Sequence, residues 1–320
     1  MKIFVAPLNW GLGHASRCIP LIHRLISEGN EVILGGDGES LTLLRKHFPK
    51  LKYTYLAPLH LTYSKGSRQV FAILLALPKL IRWAVKDHLM LKALLNEEPI
   101  DRVISDNRFG LYNSKTECIY ITHQLHIMLP HGWKWAEPIA SRLHARIYAR
   151  YNKVWIPDYE DPDKSLAGEM SRVPSFVPLS FSSFQYIGPL SRFDRNIGIA
   201  KSSFEIVAVL SGLEPHRTML EKEIIVRYTG KDEKVLIVQG LPNRPMVRIK
   251  RANITIVPYM SDTELVAALS GAKHIIARSG YSTIMDLHAL GWLGKAELIP
   301  TPGQPEQEYL ANQIEQKALF

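Results

Sequence analysis

The chain has 320 residues, 46% hydrophobic and 22% charged, with a formal net charge of +9. That is a globular composition, long enough for two cores, and it excludes a disordered or fibrous chain. No apolar run reaches the ~18 residues of a spanning helix, and two cysteines, Cys18 and Cys118, are too few for a disulfide framework and lack zinc spacing.

The N-terminal run "MKIFVAPLNWGLGH" meets Gly11 before a cleavable apolar region can form, which predicts a cytoplasmic chain without a signal peptide. The positive charge concentrates in residues 65–95 and 134–153. It favours an anionic partner such as phosphate, acidic lipid or nucleic acid, or else marks a solvated basic surface.

In chain order, "KIFVAP" (2–7) reads as a buried strand, followed by a glycine loop. Ile19, Ile22, Leu25 and Ile26 then recur at helical spacing up to Gly29, and "EVILGG" reads as a second strand. This is a βαβ unit, which implies a parallel sheet with helices on both faces. "KYTYLAP" continues as a strand, 68–95 as helix, and "IDRVISD", "ECIYITH", "KVWIPD" and "FQYIGPL" as strands. The polar stretch 191–203 reads as a linker. Beyond it the alternation restarts with "FEIVAVLSG", a helix from His216, "EKVLIVQG", "ITIVPYM", "AKHIIAR" and "KAELIPT", with helices at 262–271 and 282–290. The expected fold is α/β, with two Rossmann-like, doubly wound domains (1–192 and 200–320) facing a cleft. Ligands in such sheets lie at the carboxyl ends of the strands.

Three loops occupy those ends. In "APLNWGLGHASRC" (6–18), Gly11 and Gly13 fit a dinucleotide turn, with Asp37 near the place of a ribose-binding acid, but Ser16 stands where a third glycine belongs. His14 would crowd a pyrophosphate; at a helix start it can touch a substrate, or simply cap the turn. In "ARSGYSTIMDLHALG" (277–291), Ser279, Gly280, Tyr281 and Ser282 would present N–H groups and hydroxyls at a helix N-terminus suited to a diphosphate, and Asp286 one turn deeper could accept from a ribose. In "LSGLEPHRT" (210–218), Ser211 and Gly212 permit close approach and Arg217 could neutralise phosphate.

"GLGHASRCIPLIHRLISEGNEVILGG" resembles the N-terminal signature of GT-B glycosyltransferases. "ARSGYSTIMDLHALG…TPGQPEQEYLAN" resembles the C-terminal domain of glycosyltransferase family 28, whose members include a peptidoglycan N-acetylglucosaminyltransferase. The resemblance covers the order of both halves, with close motif matches over about a fifth of the chain. It implies a nucleotide-sugar donor, UDP-linked, held mainly by the second half. It also implies an acceptor held mainly by the first half, and metal-independent transfer with inversion and no cofactor. Ser279 and Gly280 match the diphosphate turn, Thr283 the helix threonine, Gln304 and Gln307 the glutamines near the donor sugar, and His14 the loop histidine. Asp286 replaces the usual ribose-binding glutamate, "LSGLEP" the usual Gly-Gly-Ser loop, and "LAN" the usual Asn-Ala. The chain ends at Phe320 without the long final helix common in the family.

Inverting transfer needs a base on the acceptor hydroxyl and stabilisation of the departing diphosphate. His14 and Asp106 are the candidate bases; the helix start at 280–283, with Arg217 or Arg278, would serve the diphosphate. His123 and His126 have a spacing that metals use, but without a third ligand they read as cleft-lining. The segment 68–95, with Arg68, Lys79, Arg82, Lys86 and Lys92, is either a buried helix pair interrupted at Pro78 or a docking face for an anionic membrane carrying a lipid-linked or envelope-glycan acceptor. Trp133 and Trp135 could join that face. A nicotinamide-dependent oxidoreductase using Asp37 stays open, as does a basic nucleic-acid binder, although no nucleic-acid module is present.

Overall fold

A computed structural model describes residues 1–59, 69–177, 183–193, 202–212 and 214–318. Arg68 and most of the expected linker (194–201) lie outside them. The described residues fall into two compact units. One comprises Met1–Asn9, His14–Leu190 and Pro302–Glu306; the other comprises Trp10–Gly13, Ser191–Thr301 and Gln307–Phe320.

The first unit is built on β1 (Lys2–Pro7), α1 (Gly13–Ser27), β2 (Glu31–Gly36), α2 (Gly38–His47), β3 (Lys52–Tyr55), α3 (Gln69–Glu97), β4 (Arg102–Asp106), β5 (Glu117–Ile121), α4 (Glu137–Tyr148), β6 (Lys153–Ile156) and β7 (Ser183–Tyr186). Its seven strands run in the order β3-β2-β1-β4-β5-β6-β7 and every pair is parallel. Ile3, Phe4 and Val5 of β1 and Val103 and Ile104 of β4 are wholly buried. Strands covered on both faces read as continuous apolar runs, which is why the sequence announces them.

The second unit contains β8 (Ile206–Val209), α5 (His216–Tyr228), β9 (Val235–Val238), β10 (Ile249–Arg251), β11 (Ile254–Val257), α6 (Asp262–Gly271), β12 (His274–Arg278), α7 (Tyr281–Leu290), β13 (Ala296–Ile299) and α8 (Pro305–Ala318). Its sheet order is β10-β11-β9-β8-β12-β13, parallel except for the antiparallel pair β10–β11. The architecture is the expected one: α/β, with two doubly wound, Rossmann-like sheets.

One local expectation is corrected. Residues 69–97 are a single helix, not a pair, with Pro78 inside it. Proline removes one backbone hydrogen bond, but the helix is pinned further along, where Trp83, Asp87 and Leu91, spaced four apart, are buried along one side. The opposite side leaves Ile81, Val85 and Leu89 at 63%, 52% and 58% exposure.

Candidate active site

In an open parallel sheet, the crevice forms where the strand order reverses. In the first unit that point lies between β1 and β4, whose last residues Pro7 and Asp106 are registered opposite each other. The chain leaves β1 through a loop in which Gly11 has a φ of +79°, a left-handed conformation that glycine adopts without strain. It then enters α1 at Gly13, so His14 stands in the first turn, one turn before Arg17 and Cys18. Residues three and four apart share a helix face, and here that face meets Asp106.

Asp106 is fully buried, and its carboxylate carries the centre. It accepts from Arg17 Nε at 2.5 Å and from Arg17 Nη2. His14 Nδ1 lies 2.8 Å from its Oδ1, and Cys18 Sγ 3.6 Å from its Oδ2. Burial alone would push such a carboxyl above its ordinary range, but the Arg17 charge, then His14, hold it well below the usual carboxylate range. Burial also pushes the Cys18 thiol up, leaving it protonated. The His14 side chain is 16% exposed, and no hydrogen bond engages its Nε2 among the described residues. The arrangement can hold an imidazole by one nitrogen while presenting the other to a reacting hydroxyl.

The network extends further. Arg17 Nη1 lies 3.2 Å from His123 Nδ1, and His123 Nε2 lies 3.0 Å from Glu306 Oε1, in the segment that clusters with the first unit. Burial lowers the His123 proton affinity against the opposing pull of Glu306. His126 faces Glu137 at 3.4 Å instead. Sequence reading missed Arg17 and Glu306. The signal for Arg17 was its position three residues after His14; Glu306, between Gln304 and Gln307, had none stronger than its charge.

In the second unit the switch point lies between β8 and β12, where Val209 is registered with Ala277. The loops after these strands hold Ser211, Gly212 (φ +92°) and the Ser279–Ser282 turn. Gly280 caps α7, and Thr283 lies half-buried in its first turn. Tyr281 and Ser279 are buried, and the Ser279 hydroxyl donates to the Gln307 carbonyl at 2.8 Å. Ser282 Oγ donates to the Gly13 carbonyl at 2.9 Å, and a Cβ on Gly13 would stand 2.9 Å from that Oγ, so a side chain here would push the Ser282 hydroxyl aside.

Both arginines expected near a diphosphate are buried and already engaged. Arg217 pairs with Glu214 and Glu221, and Arg278 donates to the Pro300 and His216 carbonyls at 2.9 and 2.8 Å. Asp286 accepts from Ser191 Oγ at 2.8 Å, with Arg192 3.6 Å away, and burial pushes its carboxyl up to about 6. Gln304 is half-buried in the Pro302–Glu306 segment, whereas Gln307 accepts from the Thr301 N–H at 2.9 Å in the second unit. Asp37, the acid of the nicotinamide reading, is buried and bound to Arg108 and Asn9 at 2.8 Å each.

Comparisons with known proteins bear on the fold. No family model matches the chain. An uncharacterized glycosyltransferase of Methanosarcina acetivorans is 24% identical over 99% of this chain and 84% of its own length, and one of Methanosarcina mazei is 23% identical with the same coverage. Among solved structures, the glycotransferase of kitacinnamycin superposes with a TM-score of 0.58 at 15% identity, covering 98% of this chain and 84% of its own. The chain has the GT-B fold of these glycosyltransferases. Phytolacca americana UGT2, solved with UDP-2fluoro-glucose and pterostilbene, shares this fold at a TM-score of 0.56 and 14% identity, over 99% of this chain and 83% of its own.

Proposed function

We propose that this chain is a glycosyltransferase that moves a sugar from a UDP-sugar to an acceptor hydroxyl, with inversion and without a metal or other cofactor. The observation that carries the reading is the His14–Asp106 pair at the first unit's switch point, with Nδ1 held at 2.8 Å and Nε2 unengaged among the described residues. In a single displacement, His14 Nε2 takes the acceptor proton as the acceptor oxygen attacks the anomeric carbon, and the bond to the diphosphate breaks with its electrons passing to that leaving group. The α7 N-terminus in the second unit, opened by Gly280, offers N–H groups and a positive dipole end to the diphosphate. Arg217 and Arg278 serve there by shaping the loops, since their guanidinium groups bind protein acceptors. Ser211, Gly212, Tyr281, Ser282, Thr283, Gln304 and Gln307 line the donor side in this reading. The UDP-2fluoro-glucose complex of UGT2 supports the choice of donor.

A thermal-shift panel of UDP-, GDP- and dTDP-sugars tests the donor. A ligand at a hundred times its Kd stabilises by ~2.7 kcal/mol, and the largest shift is expected with a UDP-sugar. Asp286→Ala should then weaken UDP by ~1.5–3 kcal/mol through lost ribose hydrogen bonds. Unchanged affinity in a folded variant would remove Asp286 from the site. Turnover should persist in EDTA; loss restored by manganese or magnesium would contradict metal independence.

The acceptor side includes a peripheral membrane contact through the exposed apolar side of α3, where Lys79, Arg82, Lys86 and Lys92 flank Ile81, Val85 and Leu89. Flotation with anionic but not neutral vesicles is the expected result, and equal recovery with both would remove the membrane from the reading.

A further inference from the structure

The His14 centre contains an unresolved competition. Arg17 Nη2 lies 2.9 Å from His14 Nδ1, and Asp106 Oδ1 lies 2.8 Å from the same nitrogen. An imidazole nitrogen makes one such bond: it donates its hydrogen or accepts one. If Nδ1 accepts from Arg17, the ring proton sits on Nε2 and His14 cannot take a proton there. If Nδ1 donates to Asp106, Nε2 presents a lone pair.

We propose that Arg17 is a positioning residue for the His14 base: its two-pronged grip turns Asp106 toward Nδ1 and offsets the carboxylate's charge, so the neutral ring keeps its proton on Nδ1 and Nε2 stays bare. The proposal rests on His14 being the base. Two arguments carry it. Were Nδ1 bare, its lone pair would lie 2.8 Å from the Asp106 carboxylate oxygen, a repulsion that a proton on Nδ1 turns into a charge-assisted bond. The second is the charge around the ring. Arg17 and Cys18 face it from α1 and Asp106 from β4; His123 after β5 and Glu306 at the start of α8 complete the network. Cys18 is a neutral thiol, and burial favours neutral His123. Arg17 is therefore the one fixed cation in this set, against the carboxylates of Asp106 and Glu306. Without it, two carboxylates would draw a second proton onto His14 and block its lone pair.

Ring 15N NMR of labelled protein reads both the tautomer and the titration without needing turnover. In the unmodified chain the proton should sit on Nδ1. In Arg17→Gln the pH at which the ring protonates should rise by about one to three units, and the acid limb of kcat/KM should move with it. Arg17→Lys, which keeps the charge without the fork, should undo most of the shift, as should Arg17→Gln combined with Asp106→Asn. A titration unmoved in Arg17→Gln, or a native ring protonated on Nε2, overturns the proposal; the native tautomer decides even if the variants fail to fold. Full turnover in His14→Ala overturns the base reading and this proposal together. An inactive His14→Ala beside an unmoved titration overturns this proposal alone.

Discussion

Replacing His14 by alanine is expected to lower kcat by about 10²–10⁴-fold, the contribution of a well-placed general base, while UDP affinity stays nearly unchanged. The separation follows from where the residues lie. His14 belongs to the first unit with Asp106 and Arg17, whereas the α7 turn proposed for the diphosphate belongs to the second. An interaction made only as the acceptor loses its proton lowers kcat and kcat/KM together. Asp106→Asn is the companion measurement. It keeps the shape but removes the charge that Nδ1 faces, so it should also slow turnover, and it should destabilise the fold because Arg17 is left buried without its counter-ion. If Asp106→Asn abolishes turnover and His14→Ala leaves it intact, Asp106 is the base and His14 only shapes the loop.

The largest effect on stability is expected at Arg108. Its guanidinium is wholly buried and donates Nε and Nη2 to Asp87 at 2.8 and 2.9 Å, Nη1 to Asp37 at 2.8 Å and Nη2 to the Ala57 carbonyl at 2.8 Å. It thus ties α3, the start of α2 and the turn after β4 to one another. Arg108→Ala strands a fully buried Asp87 and should cost about 3–5 kcal/mol, or a fall in Tm of order 10 °C. The deficit should shrink at acid pH. Burial already raises the Asp87 carboxyl above its ordinary range, with Arg108 pulling it back down. With that counter-ion gone the folded state binds the proton more tightly still. A group whose folded value lies above its unfolded one loses stability as pH rises from the ordinary carboxylate range to the raised value, and regains it on acidification. Thermal unfolding at pH 5 and pH 7.5 checks the sign; a deficit equal at both, or larger at pH 5, would show that Asp87 is not the stranded group. Arg108→Met with Asp87→Leu, which removes both charges, should recover most of the loss.

The fold was legible where burial is two-sided. Strands such as β1 and β2 are free of polar side chains after a single charged residue, and glycine or polar punctuation closes each one. Elements with one weak buried stripe were not legible. In α2, Ser40, Leu41, Leu43 and Leu44 are buried in ten residues, too few turns for a period to stand out. In α8, Leu310 and Ile314 are the buried apolar pair within a run that otherwise reads as a polar tail. At the site, His14 and Asp106 were legible because each ends or follows a strand. Their pairing was not, because it closes 92 residues of sequence. Arg217 and Arg278 were read by charge alone, and a buried arginine satisfied by carbonyls and carboxylates has the same sequence signature as one waiting for phosphate.

The antiparallel strand β10 bears on the protein's behaviour in concentrated solution. Open sheets end in strands whose outer N–H and C=O groups can recruit a neighbouring molecule's backbone, the first step toward fibrous association. β10 closes the second sheet on one side with three residues, and its Lys250 and Arg251 are both exposed. A rim so short and so positively charged repels a like copy before backbone pairing can begin. Substituting valines for Lys250 and Arg251 would turn that guard into a template.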